Sequence, residues 1–378
     1  MEKPLKARMH ILSPVHIGCD DVYEPTNFVI DEKNGKLIEF DPMDFIKSLS
    51  QQDREQFTAI CMQGTISSII SIYRFISLKQ SQSRINGREI EIAADLRAHY
   101  KRVRDLPLQD ERRIRQELNQ FAISRTVYNP HGDMPYIPGS SLKGALRTAY
   151  LSKLAKEAGV KDWWKTSQAR ENNRARELEL HLLNGSFDTD PFRMIKVSDF
   201  IPVSTHEVKT KVVYAVNRKK RKSKFEARGP FQVVETIKDG AVFEGMINIQ
   251  QPEPSANIER PIKVEELLRS INEFYVPLVN EENKVASEID AGQVIVKRIN
   301  ERFKGQLGKT SYLIRLGRHS GAEAVTIEGN RYIKIMQGKG KPPKFLNQAT
   351  TLWMASETSK PTANNALIPF GWAVLEVL

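Results

Sequence analysis

Cysteine is nearly absent from this sequence: two residues in 378, Cys19 and Cys61. They form no C-x-x-C spacing, which excludes a zinc ribbon, a redox pair and a disulfide framework and implies a reducing, cytoplasmic setting. Long apolar runs are also missing. None approaches the roughly 18 residues of a membrane span, and the opening MEKPLKARMH lacks the apolar segment of a signal peptide. There is no H-E-x-x-H, no EF-hand loop and no G-x-S-x-G elbow. GQLGKT at 305–310 ends like a phosphate-binding loop but has the wrong spacing from its first glycine. No metal and no cofactor are therefore expected.

What is present is positive charge and enough apolar material for real cores. Hydrophobic residues make up 40% of the chain, and 57 Lys+Arg against 46 Asp+Glu leave a net +11. Such an excess fits a polyanionic partner, of which nucleic acid is the most economical. Residues 5–12 alternate, with Leu5, Ala7, Met9 and Ile11 on one face and Lys6, Arg8 and His10 on the other, predicting a half-buried strand with a basic face. A hairpin is expected over 27–40 around Asn34-Gly35, followed by an Asp41-Pro42 helix start. Residues 53–121 read as mostly helical, with breaks near Asn86-Gly87 and Pro107, an insertion spanning about 42–125. Arg97, Lys101, Arg102, Arg104, Arg112, Arg113 and Arg115 give it a solvated basic face or an RNA-facing lid.

Further on, the patterns predict strands at 194–200 and 208–216, then a hairpin pairing 231–237 with 242–249 across Lys238-Asp239-Gly240. Pro252 and Pro254 suggest a linker. Two amphipathic helices follow at 264–276 and 287–303, then strands at 312–316, 331–336 and 372–377. The fold class is α+β. A boundary near 251 divides an N-terminal domain, 1–251, from a C-terminal α+β domain, 252–378, which carries a glycine-rich loop.

The stretch MPYIPGSSLKGALRTAY at 134–150 organises the functional reading. Prolines keep its start extended, Ser140 and Ser141 supply an N-cap, and Lys143 and Arg147 follow one helical turn apart. Free N–H groups, the helix dipole and two cations together favour phosphate. Arg218, Lys219, Lys220, Arg221, Lys222 and Lys224 form a basic run that reads as a mobile RNA-contacting loop. RLGRHSG at 315–321 places Arg315, Arg318 and His319 beside glycines Gly317 and Gly321, which allow close approach to a polyanion. His16 and His319, each in a glycine-flanked turn, could touch phosphate or act as acid/base groups. Trp163 and Trp164 read as core or interface anchors. Asp20 and Asp21 read as turn residues rather than catalysts.

In order along the chain, SPVHIG (13–18), YIPGSSLKGALR (136–147), KVSDF (196–200), RLGRHSG (315–321) and PFGW (369–372) resemble the RAMP proteins of CRISPR effector complexes. With EPTNFVID at 24–31, the resemblance is to subunit five of the type III-A (Csm) complex. It implies a ferredoxin-like (RRM-like) core with helical insertions. It further implies a non-catalytic subunit that caps the complex at the 3′ portion of the crRNA and supports crRNA 3′-end maturation in antiviral defence. The implied partners are an adjacent backbone subunit and other Csm proteins, with target RNA and recruited host nucleases as further candidates and no membrane. The site residues that follow are His16, Ser140, Ser141, Lys143, Arg147, Arg218–Lys222, Arg315, Gly317, Arg318 and His319. The alternative is a metal-independent RAMP endoribonuclease that uses His16 or His319.

Overall fold

The computed structural model describes residues 4–83, 85–130, 132, 134–221, 229–291, 293–337, 340–364 and 366–378. They build two large sheets, each with its own apolar core, and two two-stranded ribbons, Ile333–Ile335 with Lys344–Leu346 and Tyr128–Asn129 with Met134–Pro135. The first is six-stranded and antiparallel. Its path runs Ile201–Pro202, Val242–Ile249, Leu5–Ile11, Trp372–Val377, Ser311–Arg315, with Ile195–Val197 also on Val242–Ile249. The opening strand thus lies between two strands from much later in the chain.

Alternation in that strand works as expected on its apolar side, where Ala7, Met9 and Ile11 are fully buried. The basic side is a correction. Lys6 and Arg8 both pair with Glu244, and His10 meets Glu376 at 2.8 Å, so neighbouring strands neutralise the face the sequence suggested was free. Helices Gly139–Glu157 and Val264–Glu288 pack on each other and add Leu142, Leu146, Ile271 and Tyr275 to this core. The second helix runs straight through Pro277, where a break was expected after residue 276. The apolar positions on both sides keep it on the core.

The second sheet is nine-stranded and mixed. Its path runs Gly18–Val22, Ile123–Thr126, Phe231–Ile237, Thr210–Lys219, Arg88–Ile92, Lys36–Glu39, Phe28–Asp31, with Thr351–Ser356 also paired to Thr210–Lys219. The Phe28–Glu39 hairpin forms as expected, turning through Gly35 at φ +63°. Asp41 caps the next helix by accepting N–H bonds from Met43 and Asp44. The expected break near Asn86-Gly87 leads into a strand, Arg88–Ile92, which enters the sheet parallel to Thr210–Lys219, so the insertion is not helical throughout. Around it, helices Gln51–Met62, Ile66–Gln82, Leu96–Arg104 and Glu111–Phe121 surround an aromatic core of Phe28, Tyr73, Tyr100 and Phe121.

The expected hairpin over 231–249 does not exist. Phe231–Ile237 belongs to the second sheet and Val242–Ile249 to the first, so Lys238–Ala241 carries the chain from one to the other. The crossing is fastened to the end of the first strand, where Gly240 N donates to Ile11 O and Ile11 N donates to Ala241 O, each at 2.9 Å. Both sheets also draw strands from either side of residue 251, so that boundary divides the sequence without dividing the cores.

Candidate nucleic-acid interface

Motifs far apart in sequence meet at two junctions. At the first, SPVHIG, RLGRHSG and PFGW close on one another. Arg318 N donates to His16 O (2.8 Å), Gly371 N to Pro14 O (2.9 Å), Leu316 N to Gly371 O (2.8 Å), and Trp372 N to Ser13 Oγ (2.8 Å). Two glycines are obligatory here. Gly317 has φ +79° and a Cβ would lie 2.4 Å from His16 O, while Gly371 has φ +90° and a Cβ would lie 2.4 Å from Leu316 O. The glycines of the loop therefore let protein backbone approach protein backbone, rather than only an outside polyanion.

Arg315 is a second correction. It is buried, donates from Nη1 to Glu282 Oε2 (2.6 Å) and from Nε to Phe370 O (2.9 Å), and lies 4.7 Å from the Trp372 ring centroid. Trp372 Nε1 in turn donates to Glu282 Oε1 (2.7 Å). This arginine ties the loop to helix Val264–Glu288 and has no face for RNA. His16 is also fully buried, and its Nδ1 lies 2.7 Å from Glu235 O. Burial lowers its pKa, with the Arg318 charge acting in the same direction.

His319, at φ +64°, packs on Trp353 and Phe370 and stacks on His16 at 6.1 Å. Desolvation takes its pKa down to about 4. A ring as enclosed as His16 cannot touch a phosphodiester, which removes the geometric basis of the endoribonuclease alternative at that residue. Only Arg318 of the loop's cations reaches outward. It pairs with Asp20 at 3.1 Å, both side chains being well exposed, an arrangement that holds little energy and is easily exchanged.

At the second junction, Ile137 and Phe200 exchange backbone bonds of 3.0 and 2.9 Å, joining YIPG to KVSDF. Gly139 opens the helix with a Cβ position 2.3 Å from Val197 O, so no side chain fits there. Neither serine is the N-cap. Pro138 holds that position, Gly139 N donates to Asp199 Oδ1 (2.8 Å), and Ser140 is exposed while Ser141 is half-buried. Asp199 thus supplies the helix dipole with its own anion, a role its place in KVSDF did not announce.

Arg147 is likewise engaged. Its Nε and Nη2 donate to Glu179 Oε2 (2.9 and 2.7 Å), Nη1 meets Asp190 Oδ2 (2.8 Å), and its guanidinium lies over Phe192. Lys143 is different. It is half-buried without an ion pair among the described residues, and its ammonium is pushed down in pKa first by desolvation and then by Lys196. Lys196, exposed on the adjoining strand, was missed in the sequence because its partner stands 53 positions away.

Ala322–Val325, just beyond the glycine loop, reaches helix Gly139–Glu157 on the side of Ala145, whose carbonyl and that of Ala324 both accept from Tyr275 Oη. Lys143 stands two residues before Ala145, about 200° around the helix.

The basic run divides as well. Arg218 is a buried member of strand Thr210–Lys219 and donates to Pro361 O (2.6 Å), Lys219 ends that strand, and Lys220 pairs with Glu323 at 2.7 Å. Arg221 is exposed, and Lys222 and Lys224 lie outside the described residues. Trp163 stacks on His181 and Trp164 packs at a tilt against Tyr332, in keeping with anchoring. Among the described residues no group of three or more His, Cys, Asp or Glu could hold a metal ion, and no helix is long and apolar enough to cross a membrane.

Comparison with known proteins gives a consistent answer. Residues 8–318 match the model of the RAMP superfamily. A curated relative, CRISPR system Cms protein Csm5 of Methanocaldococcus jannaschii, is 20% identical over 225 residues, 59% of this chain and 48% of that protein. The Csm5 protein of Enterococcus italicus is 26% identical over 162 residues, 39% of this chain and 43% of its own. The matches thus span less than half of these relatives' length.

Among solved structures, a chain of a Csm–crRNA–target RNA ternary complex from a type III-A CRISPR-Cas system superposes with a TM-score of 0.63 at 16% identity. That match covers 98% of this chain and 100% of the other. Csm5 of T. onnurineus gives 0.59 at 16% identity with the same coverage. The chain belongs to the RAMP superfamily and, within it, is similar to Csm5 proteins.

Proposed function

We propose that this protein is a non-catalytic crRNA-binding and assembly subunit that caps the 3′-crRNA end of a type III-A complex and supports crRNA 3′-end maturation. On this reading the first sheet, with helices Gly139–Glu157 and Val264–Glu288, is the ferredoxin-like core. Its partners are crRNA and the adjacent backbone subunit. The observation that carries the RNA reading is the pair Lys143 and Lys196 at the start of the motif helix. Desolvation first and the Lys196 charge second lower the Lys143 pKa, and the nearby Asp190, which opposes this, is paired with Arg147. Cations crowded in this way favour an outside anion, and the exposed Ser140 stands beside them with a hydroxyl donor. Arg318, held only by an exposed pair, is a second contact of the same kind.

The test is the salt dependence of binding to a single-stranded crRNA-like oligonucleotide. Each phosphate that is no longer neutralised takes roughly 0.7 off the log–log slope. Lys143→Ala with Lys196→Ala is expected to lower the slope by about 1.4 with the fold intact, whereas Arg147→Ala leaves it unchanged. An unaltered slope in the double variant would overturn this assignment.

A further inference from the structure

From residue 329 to residue 356 the chain carries five cations, Arg331, Lys334, Lys339, Lys341 and Lys344, and no Asp or Glu. Part of this stretch folds as the ribbon of Ile333–Ile335 with Lys344–Leu346. Its two strands pair with each other and with no other strand among the described residues. A two-stranded ribbon alone is marginal in water, so something must hold it. The hold is at its root. Gly329 O accepts from Asp162 N (3.0 Å), Asn330 Nδ2 donates to Val160 O (2.9 Å), and Asn330 Oδ1 accepts from Trp163 N (3.0 Å). On the returning leg, Ala349 N donates to Glu323 Oε1 (2.8 Å) and Lys220 N to Thr350 O (3.0 Å).

Aromatic side chains carry the hold into the ribbon. Tyr332 and Phe345 stack with centroids 4.1 Å and planes 9° apart, and Trp164 packs on Tyr332 at 4.8 Å. These half-buried rings spend their contacting faces on one another, so their part is to brace the ribbon. Arg331 belongs to the root as well, because its Nη2 donates to Glu323 O (3.2 Å). Lys339 lies outside the described residues.

What remains is Lys334, Lys341 and Lys344, all exposed and none with an ion pair among the described residues. Other strand cations are met by acids, as Lys6 and Arg8 are by Glu244, Lys211 by Glu357 and Lys238 by Glu91. At the ribbon the acid of the root, Glu323, is already taken by Lys220. Crowded cations without acids favour an outside polyanion. Register sets where they point. Lys334 stands opposite Phe345 and Lys344 opposite Ile335. Neighbouring positions on a strand face opposite ways, so these two lysines emerge from opposite faces of the ribbon. A stiff duplex lays its phosphates against one face at a time, whereas a single strand bends to meet both. Lysine also argues against a protein partner, because the cores of protein interfaces favour arginine and are poor in lysine.

We propose that the ribbon of Ile333–Ile335 and Lys344–Leu346 is an arm for single-stranded RNA, with Lys334, Lys341 and Lys344 taking backbone phosphates and the aromatic stack holding the arm in place. The arm rests on the RNA-binding reading above, but not on the contact at Lys143 and Lys196.

The experiment measures the salt dependence of oligouridylate binding to the full chain, with an oligoadenylate–oligouridylate duplex of the same length alongside. Lys334→Ala with Lys341→Ala and Lys344→Ala is expected to lower the log–log slope on oligouridylate by about 2.1, at roughly 0.7 per phosphate, with the melting temperature unchanged. Lys334→Arg, Lys341→Arg and Lys344→Arg together should keep the slope, and on the duplex the alanine variant should lose less. An unaltered slope on oligouridylate overturns the arm; if the same variant also purifies from cells without its neighbouring subunits, the ribbon belongs to a protein partner. An equal loss from Lys33→Ala with Lys263→Ala and Lys284→Ala, exposed lysines on other elements, overturns it too, because charge then acts from anywhere on the surface. An equal loss on the duplex overturns the single-strand assignment. A slope lowered by the ribbon variant but not by the Lys143 and Lys196 variant supports the arm and refutes only that other contact. Absence of any binding by the unaltered chain refutes the RNA-binding reading, and the arm with it.

Discussion

Two buried arginines, Arg315 on a strand of the first sheet and Arg125 on a strand of the second, behave differently. Arg315 at the glycine-loop junction has its charge met by Glu282 and its Nε by a carbonyl, and Trp372 shares the same carboxylate. Arg125 has its charge met by Glu39 but keeps an Nε–H without an acceptor. A buried arginine whose ion pair is backed by a second donor bond fastens one part of the chain to another. One whose Nε–H is enclosed without an acceptor holds its place through the ion pair and the neighbouring ring alone. Both look alike in the sequence, each following an apolar or small strand residue by one position.

The sharpest way to test the contrast is to remove the fastening arginine. Arg315→Ala strands Glu282 in the interior with only the indole N–H, a change expected to cost about 3–5 kcal/mol, measured by urea unfolding. Gly317→Ala at the same junction forces a Cβ to within 2.4 Å of His16 O at φ +79°. About 3 kcal/mol should be lost, with the loop's backbone amides losing hydrogen-exchange protection. Arg125→Met in the second sheet leaves Glu39 still held by Arg88 and should cost less, about 1–2 kcal/mol. A cost equal to that of Arg315→Ala would erase the distinction.

Acid provides a smaller probe. His16, His99 and His319 are held neutral in the fold chiefly by desolvation, the last two with pKa values of about 4. Because the unfolded chain takes up these protons near pH 6.5, their contribution is fully present above that pH. It is lost as pH falls toward about 4. Stability should therefore decline over this window, and His319→Asn, which tolerates the same positive φ, should flatten the slope. Smallest of all, Arg147→Ala breaks partly exposed pairs and should cost about 1 kcal/mol or less.

The sequence reveals what is local. The first strand's alternation, the Asn34-Gly35 hairpin, the Asp41 cap and the motif helix are written in neighbouring residues. The Lys238–Ala241 crossing is not, because apolar strands flanking Lys-Asp-Gly suit a hairpin and a change of sheet equally well. Arg315 reads as a surface cation because Glu282 and Trp372, which enclose it, stand far away on other elements. Arg147 is misjudged for the same reason, with Glu179 and Asp190 on other elements. Strand Thr351–Ser356 lies between loops with no turn signal to frame it, and Arg88–Ile92 is too short to stand out among helices. The family motifs meet at the two junctions, where Gly139, Gly317, Gly371 and Arg315 serve the packing of the protein itself.

The place of the opening strand has a consequence during synthesis. Leu5–Ile11 is finished early, yet the strands on either side of it are Val242–Ile249 and Trp372–Val377. At the usual ribosomal pace the second of these follows roughly 20–70 s later. For that interval the strand has a side with no bonding partner, the condition under which strands pair with the wrong chain. The nascent chain must therefore hold Leu5–Ile11 in reserve until Trp372–Val377 has been made.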